Sequence, residues 1–439
     1  MKVMNKAHWT LTLLLICSLV LSACGSSDGS DGSSTGGKGG KETQVRIMTR
    51  LSGSDLKSKA FNELLDKFKT ENPDIDVINE SVNDETSYNN KFKTAVATGN
   101  VPNIWMNYGG QSFKVYAENI AMDLQPILEE DKAWSGAFKP LFSGWQYSDI
   151  KGTFAIPMED SSVAIYYNKE LFQKAGVEPP KTIEEMMALV EPFKNIGVVP
   201  MLMGDKENFR GGHLINNLSF KRFGIQKTED LVSRKAKWND PDMVQLFQLM
   251  KDWQSAGVLG DNIVTLDSNG TTAQFLAGKS AMLFEGNWAI SQLSSSDMAD
   301  KIGVIPFPYF ADHPENKDVW FGTAGGYSVS KSISGAEKDA TIKLLKYLTN
   351  EDAFKYFAQA TKGGTYPVNV ELDPSQIDPV TKEYMEAQKT AKSFLAEIET
   401  YDNIPSLQDK LRSEIQGMFA GASPQQTADN VQKVVDSNH

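Results

Sequence analysis

The sequence is short of cysteine, of histidine and of positive charge, and each shortage closes off a class of function. Its two cysteines, Cys17 and Cys24, both precede the body of the chain. The body can therefore hold neither a disulfide nor a thiolate metal site. Of the four histidines, His8 and His439 lie near the ends. His213 and His313 show no H-E-x-x-H or other paired ligand spacing, so no metal or other cofactor is expected. With 44 Lys and Arg against 56 Asp and Glu, the net charge is −12. That excludes the basic footprint of a nucleic-acid binder and favours a neutral or cationic ligand, an anion requiring a local cationic pocket. Phosphate cradles are missing as well, because Gly109-Gly110 and Gly325-Gly326 lack the G-K-[ST] ending. The G-x-S-x-G match at Gly25 to Gly29 has no strand before it and no helix after it, so it signals no nucleophile.

What is present begins with an address. Lys2 and Lys6 precede the apolar run Leu11 to Leu21, and small residues follow up to Cys24. This is the layout of a secretory signal, too short for a comfortable membrane span. Leu21-Ser22-Ala23-Cys24 resembles a bacterial lipobox. That resemblance implies cleavage after residue 23, acylation of Cys24 and a protein anchored to the extracellular face of the cell membrane. Lipidation also accounts for an unpaired cysteine in an exported protein. Residues 25–41, GSSDGSDGSSTGGKGGK, contain no apolar side chain and read as a flexible tether.

The rest of the chain is long for one compact domain, and two are expected. Gln44 to Thr49 and Ile75 to Ile78 read as strands, and Phe61, Leu64, Leu65 and Phe68 give the period of an amphipathic helix between them. A further helix, Tyr88 to Thr98, leads to the strand Asn103 to Asn107, which runs into Tyr108-Gly109-Gly110. Strand alternating with helix predicts a parallel α/β sheet. Later, Ile183 to Lys194 is predicted helical with Thr182 as N-cap, and Gly204 to Gly212 reads as a polar loop. Met243 to Trp253, Glu337 to Leu348 and Asp352 to Ala360 are further helices, and Pro379 to Val435 reads as helical throughout. Ser280 to Phe284 has strand length, and Glu285-Gly286-Asn287 reads as a turn that delivers Trp288 at its carboxyl end. Ligands gather at such strand ends in open α/β sheets.

Several segments together carry a resemblance. Ala95 to Asn103 (AVATGNVPN), Ala117 to Pro126 (AENIAMDLQP), Tyr167-Asn168-Lys169 with Leu171-Phe172, and the G-K-x-A-M-x-x-x-G run from Gly278 follow one another in order. The series resembles the maltose-binding-protein-like solute-binding proteins (family 1) of carbohydrate ABC transporters, over most of residues 44–437. Asn103 stands where that family usually has Asp, a turn position of little consequence. The resemblance implies an α/β, two-lobe periplasmic-binding-protein-like fold, each lobe a mostly parallel sheet flanked by helices, with several hinge crossings. It implies an amino-terminal lobe of residues 44–152 plus about 305–360, and a carboxy-terminal lobe of 153–304 plus about 361–437. It also implies a monomeric receptor that captures a sugar, several rings suiting the aromatics, and delivers it to membrane permease subunits.

Sugars offer apolar C–H faces and many hydroxyls, so a site for them combines aromatic plates with acids and amides in a concave pocket. From residue type alone Trp288 belongs in a core; after the G-K-x-A-M-x-x-x-G turn, the resemblance makes it the sugar plate. Asn107, Tyr108, Glu159 and Asp160 match the family's ligand-facing loops, and Gly326 and Tyr327 a turn lining its cleft. Other predicted cleft loops add Ser54, Asp205, Arg210, Glu285, Asn287, Trp320 and Tyr366, while Trp105 and Tyr166 read as core. Glu159, Asp160 and Glu285 also supply the carboxylates a glycan hydrolase would need; they are read as hydroxyl acceptors, and the protein as no enzyme. A binding protein for a polyamine or a peptide is the other alternative, one that would respond to that solute instead.

Overall fold

The structure, a computed structural model, describes residues 42–139, 142–147 and 149–438. The signal, Cys24 and the tether lie outside the described residues. Among the described residues nine strands form one mixed sheet: β1 (Thr43–Met48), β2 (Ile75–Asn79), β3 (Ile104–Asn107), β4 (Ile156–Asn168), β5 (Val199–Leu202), β6 (Ser280–Gly286), β7 (Ile302–Ile305), β8 (Val319–Val329) and β9 (Ser393–Leu395). The main path runs β2-β1-β3-β8-β4-β6-β5, with β7 beside β4 and β9 beside β8. Parallel pairing joins β2, β1 and β3, and again β5 and β6. The long strands β4 and β8 run antiparallel to each other, β8 to β3, and β4 to β6 and β7. The sheet is therefore mixed rather than mostly parallel.

Two lobes result because β4 and β8 each belong to both. Ile156 to Ser162 of β4 pairs with β8, and Val163 to Asn168 pairs with β6 and β7. One core packs residues such as Val45, Ile47, Phe61, Phe68, Trp105 and Ile156 with Val329, Leu344 and Phe354. A second packs Ile165, Phe193, Leu218, Phe247, Trp253 and Phe284 with Leu411 and Val431. Along β4, Val163 and Ile165 enter that second core while Ala164 and Tyr166 enter a third, with Trp320 and Tyr384. This is the period of two that sends alternate side chains to opposite faces. Trp105 and Tyr166 are fully buried, as their positions within strands imply.

Local chemistry explains most element ends. In the helix Leu56–Glu71 the Asp55 carboxylate accepts from the Ser58 N–H, and Ala60, Phe61, Leu64, Leu65 and Phe68 bury one face. Four expectations need correction. Ile183 to Lys194 is two short helices, Glu185–Ala188 and Val190–Lys194, and Thr182 is not the N-cap of either; instead Glu185 accepts from the Lys181 and Thr182 N–H groups. The polar loop ends early, because a helix runs from Phe209 to Phe223 and takes Arg210 into its first turn. The stretch from Pro379 to Val435 is broken by β9 and by a 3-10 turn, Ile398–Tyr401. Glu285 and Gly286 continue β6 rather than turning. No helix among the described residues is long and apolar enough to cross a membrane.

Candidate functional site

Trp288 follows the end of β6, in the 3-10 turn Asn287–Ala289, and 40% of its surface is open to solvent. A Cβ on Gly286 would lie 2.2 Å from Trp288 Cη2 and 2.3 Å from both Cζ2 and Cζ3, so the indole lies flat against the strand end. Only the missing side chain lets it approach so closely. The ring's polar edge is tied down as well. Trp288 Nε1 donates to Glu285 Oε1 at 2.8 Å, and Ser268 Oγ donates to Glu285 Oε2 at 2.6 Å. Arg210 is ion-paired with the same carboxylate, both side chains being almost fully buried. Its guanidinium carbon lies 5.4 Å from the Trp288 ring centre and 4.9 Å from that of Phe209, within cation–π range.

The Phe209–Phe223 helix can bring Arg210 there because its first turn contains Gly211. A Cβ at that position would meet Ile415 Cγ2 at 2.6 Å and Asp205 Oδ2 at 2.9 Å. Asp205 Oδ1 accepts from the Gly211 N–H at 2.8 Å. Burial pushes the Asp205 carboxyl up to about 7, the Gly211 bond opposing the shift.

On the other lobe Tyr108 directly follows β3 and is 39% exposed. Desolvation nevertheless pushes its pKa above the ordinary tyrosine range. Arg50 Nη1 donates to Tyr108 Oη at 3.3 Å and to Glu85 Oε2 at 3.0 Å. Asn107 shapes the turn: its Oδ1 accepts from Trp145 Nε1 at 2.6 Å and from the Gly109 N–H at 3.1 Å. Glu159 of β4 pairs with Lys57 at 2.5 Å. Next to it, the half-buried Asp160 carboxyl is raised in pKa by desolvation, and no side chain among the described residues hydrogen-bonds it. The Asp160 carbonyl accepts from Asn287 Nδ2 at 2.6 Å, joining the Trp288 turn to β4.

The lobes meet across a groove of about 580 Å³, lined by Glu85, Asn89 and Lys93 on one side and Glu207, Asn208 and Arg412 on the other. Arg412 Nη1 lies 3.6 Å from Glu85 Oε1, and Lys93 Nζ lies 3.6 Å from Asp409 Oδ2. Both pairs span the lobes.

Thus Trp288, Glu285 and Arg210 form one bonded unit, Asn287 and Asp160 adjoin through the backbone, and Asn107 with Tyr108 and Glu159 stand on the other lobe's side. Ser54 is exposed in the loop before the Leu56–Glu71 helix. The remaining positions do not face open space. Trp320 packs in the third core with Tyr384, Tyr327 in the first core, and Tyr366 there too, its hydroxyl 2.9 Å from Thr361 Oγ1. Gly326 is buried within β8 opposite Asn107, and Asp205 is 1% exposed. Sequence reasoning missed Arg50, Lys57, Glu85, His213, Glu397 and Arg412, which surround the site. No motif marks them: Arg50 meets Glu85, Lys57 meets Glu159 and His213 meets Glu397 far away along the chain, and only Arg210 and His213 are near neighbours. Among the described residues no group of acids, histidines and cysteines could hold a metal ion.

Comparison with known proteins agrees with this fold. A family model described as bacterial extracellular solute-binding protein matches residues 63–390. The multiple sugar-binding protein of Streptococcus mutans is 24% identical over 386 residues, 83% of this chain and 84% of that protein. The melibiose/raffinose/stachyose-binding protein MelE of Bacillus subtilis is 20% identical over 376 residues, 83% of this chain and 82% of its own length. Among solved structures, a chitin oligosaccharide binding protein superposes with a TM-score of 0.83 at 23% identity, over 91% of this chain and 99% of that one. A fold of two lobes sharing their central strands and a family match running through both converge on one assignment: the chain belongs to the bacterial extracellular solute-binding proteins.

Proposed function

We propose that this protein is the carbohydrate receptor of an ABC transporter, capturing an oligosaccharide between its lobes and delivering it to the membrane permease. The observation that carries this reading is the mounting of Trp288, a ring held flat at a strand end with 40% of its surface free. Such a ring suits the C–H face of a sugar, and Tyr108 supplies a second aromatic from the other lobe. The neighbouring charges favour a neutral ligand, since Arg50, Lys57, Arg210 and Arg412 are each paired with a carboxylate. The Asp160 carboxyl is left as an acceptor for hydroxyls. The same pairing argues for binding without turnover, because Glu159 and Glu285 are held by cations rather than poised as a free acid and base. Cys24 is the proposed lipidation site, which would tether a monomeric receptor to the extracellular face of the membrane.

The test is thermal unfolding with a panel of mono- and oligosaccharides, a polyamine and a peptide. A true ligand at 100 times its Kd adds about 2.7 kcal/mol to stability. A shift with a sugar is expected; a response only to the polyamine or the peptide would overturn the carbohydrate reading, and hydrolysis of a panel glycan would overturn binding without turnover.

Gly286→Ala tests the mounting itself. Gly286 has φ of −91°, which alanine tolerates, so the fold should hold. Its Cβ, however, would fill the space occupied by three ring carbons. The ring must swing away, and calorimetry should find binding of the identified sugar weakened about tenfold, or ~1.4 kcal/mol. Unchanged affinity would mean that ring placement does not matter.

A further inference from the structure

His213 is 8% exposed and lies directly behind the plate, its ring centre 6.0 Å from that of Trp288 and 4.8 Å from that of Phe321. Its two nitrogens face opposite kinds of partner. Nδ1 lies 3.1 Å from Arg210 Nη1, and Nε2 lies 3.1 Å from Glu397 Oε1. A guanidinium can only donate, so Nδ1 must accept and the ring proton must sit on Nε2, donating to Glu397. Neutral His213 therefore completes a continuous path: Trp288 to Glu285, Glu285 to Arg210, Arg210 to His213, and His213 to Glu397.

We infer that His213 is a positioning residue for the sugar site, its neutral ring holding Arg210 in the place from which Arg210 and Glu285 fix the Trp288 plate. Protonation would put a hydrogen on Nδ1, pointing at a donor 3.1 Å away. Arg210 then has to withdraw. Its Nη2 carries the bonds to Glu285 and Ser268, so those contacts shift with it and release the indole edge.

The groups facing His213 decide where this happens. Arg210 stands on its own helix, Glu397 and Glu399 on the segment after β9, and Arg412 on the Leu407–Phe419 helix. Glu285 comes from β6, and Asp205 from the loop before the Phe209–Phe223 helix. Desolvation, helped by Arg210 and Arg412 and opposed by Glu397, holds the His213 pKa below its usual 6.5. Burial would raise the Glu397 carboxyl, but Arg412 and His213 outweigh it and keep the group ionised. Glu399 is pushed up to about 8 by burial and by Glu397, and Asp205 to about 7. Both are mostly protonated before His213 takes up its proton. The sign follows: the plate is fixed near neutral pH and loosens as pH falls below about 6.5, the ordinary histidine value.

The consequence for affinity rests on the carbohydrate reading, but the test needs no ligand. Protein labelled with 5-fluorotryptophan gives a fluorine resonance for Trp288, identified by its loss in Trp288→Phe. Titrated from pH 8 to pH 5, that resonance should move with a midpoint below 6.5. In His213→Gln, whose amide supplies an uncharged acceptor and donor, it should stay fixed while the melting temperature matches the wild type. A wild-type Trp288 resonance that stays still, or one that moves identically in His213→Gln, would overturn the inference. Should His213→Gln not fold, the wild-type titration decides alone. A failed sugar panel leaves this titration intact, so the two failures are read separately.

Discussion

Trp288→Ala is expected to weaken binding of the transported sugar about 100-fold while leaving the protein folded. The indole is 40% exposed, and an aromatic side chain of this size carries up to ~250 Å² of surface, so roughly 100 Å² of ring is available to a ligand. At about 25 cal/mol per Å² its loss removes ~2.5 kcal/mol, close to two powers of ten in Kd. Stability should change far less. Glu285 loses one donor but keeps Arg210, Ser268 Oγ and the Gly286 N–H. Titration calorimetry with a sugar that raises the melting temperature measures the first effect, and a thermal melt without ligand the second. A Kd within threefold of wild type would remove Trp288 from the site.

Arg210→Met should have the largest effect on stability of any single change near the cleft. It leaves Glu285, 1% exposed, without its cation. Breaking a buried ion pair from one side costs about 3–5 kcal/mol because the survivor is charged and unpaired. Removing both charges, as Arg210→Met with Glu285→Leu, should restore most of that loss. The double variant should still bind poorly, since nothing then accepts from Trp288 Nε1. Urea unfolding of the three proteins separates these outcomes. A single variant within 1 kcal/mol of wild type would mean that the pair does not hold this part of the lobe together.

Much of the architecture is readable from the chain because it rests on local signals. The helical period at Phe61, Leu64, Leu65 and Phe68 and the short strand ahead of Trp288 both follow from neighbours in sequence. What escapes is long-range. Arg210 and Glu285 meet across 75 positions, and no pattern near either residue announces the other. Gly211-Gly212 suggests a loop because glycine is a poor helix former, yet packing against Ile415 requires that small residue within a helix. β9 has three residues, too few for any periodicity. Trp320, Tyr327 and Tyr366 show the remaining gap. An aromatic predicted close to a cleft is equally able to face inward, and the alternation that sends Trp320 into the core depends on a register set by pairing with β4 and β9.

The amide of Asn287 ties the Trp288 turn to β4 through the Asp160 carbonyl and also reaches Thr365 Oγ1 at 3.0 Å. β4 is one of the two strands the lobes share, so the indole is moored beside a crossing between them. A point near a pivot travels least. Under the proposed function the ring would therefore be the stationary jaw of the clamp: a sugar settled on Trp288 would keep its place while the wall bearing Tyr108 moved.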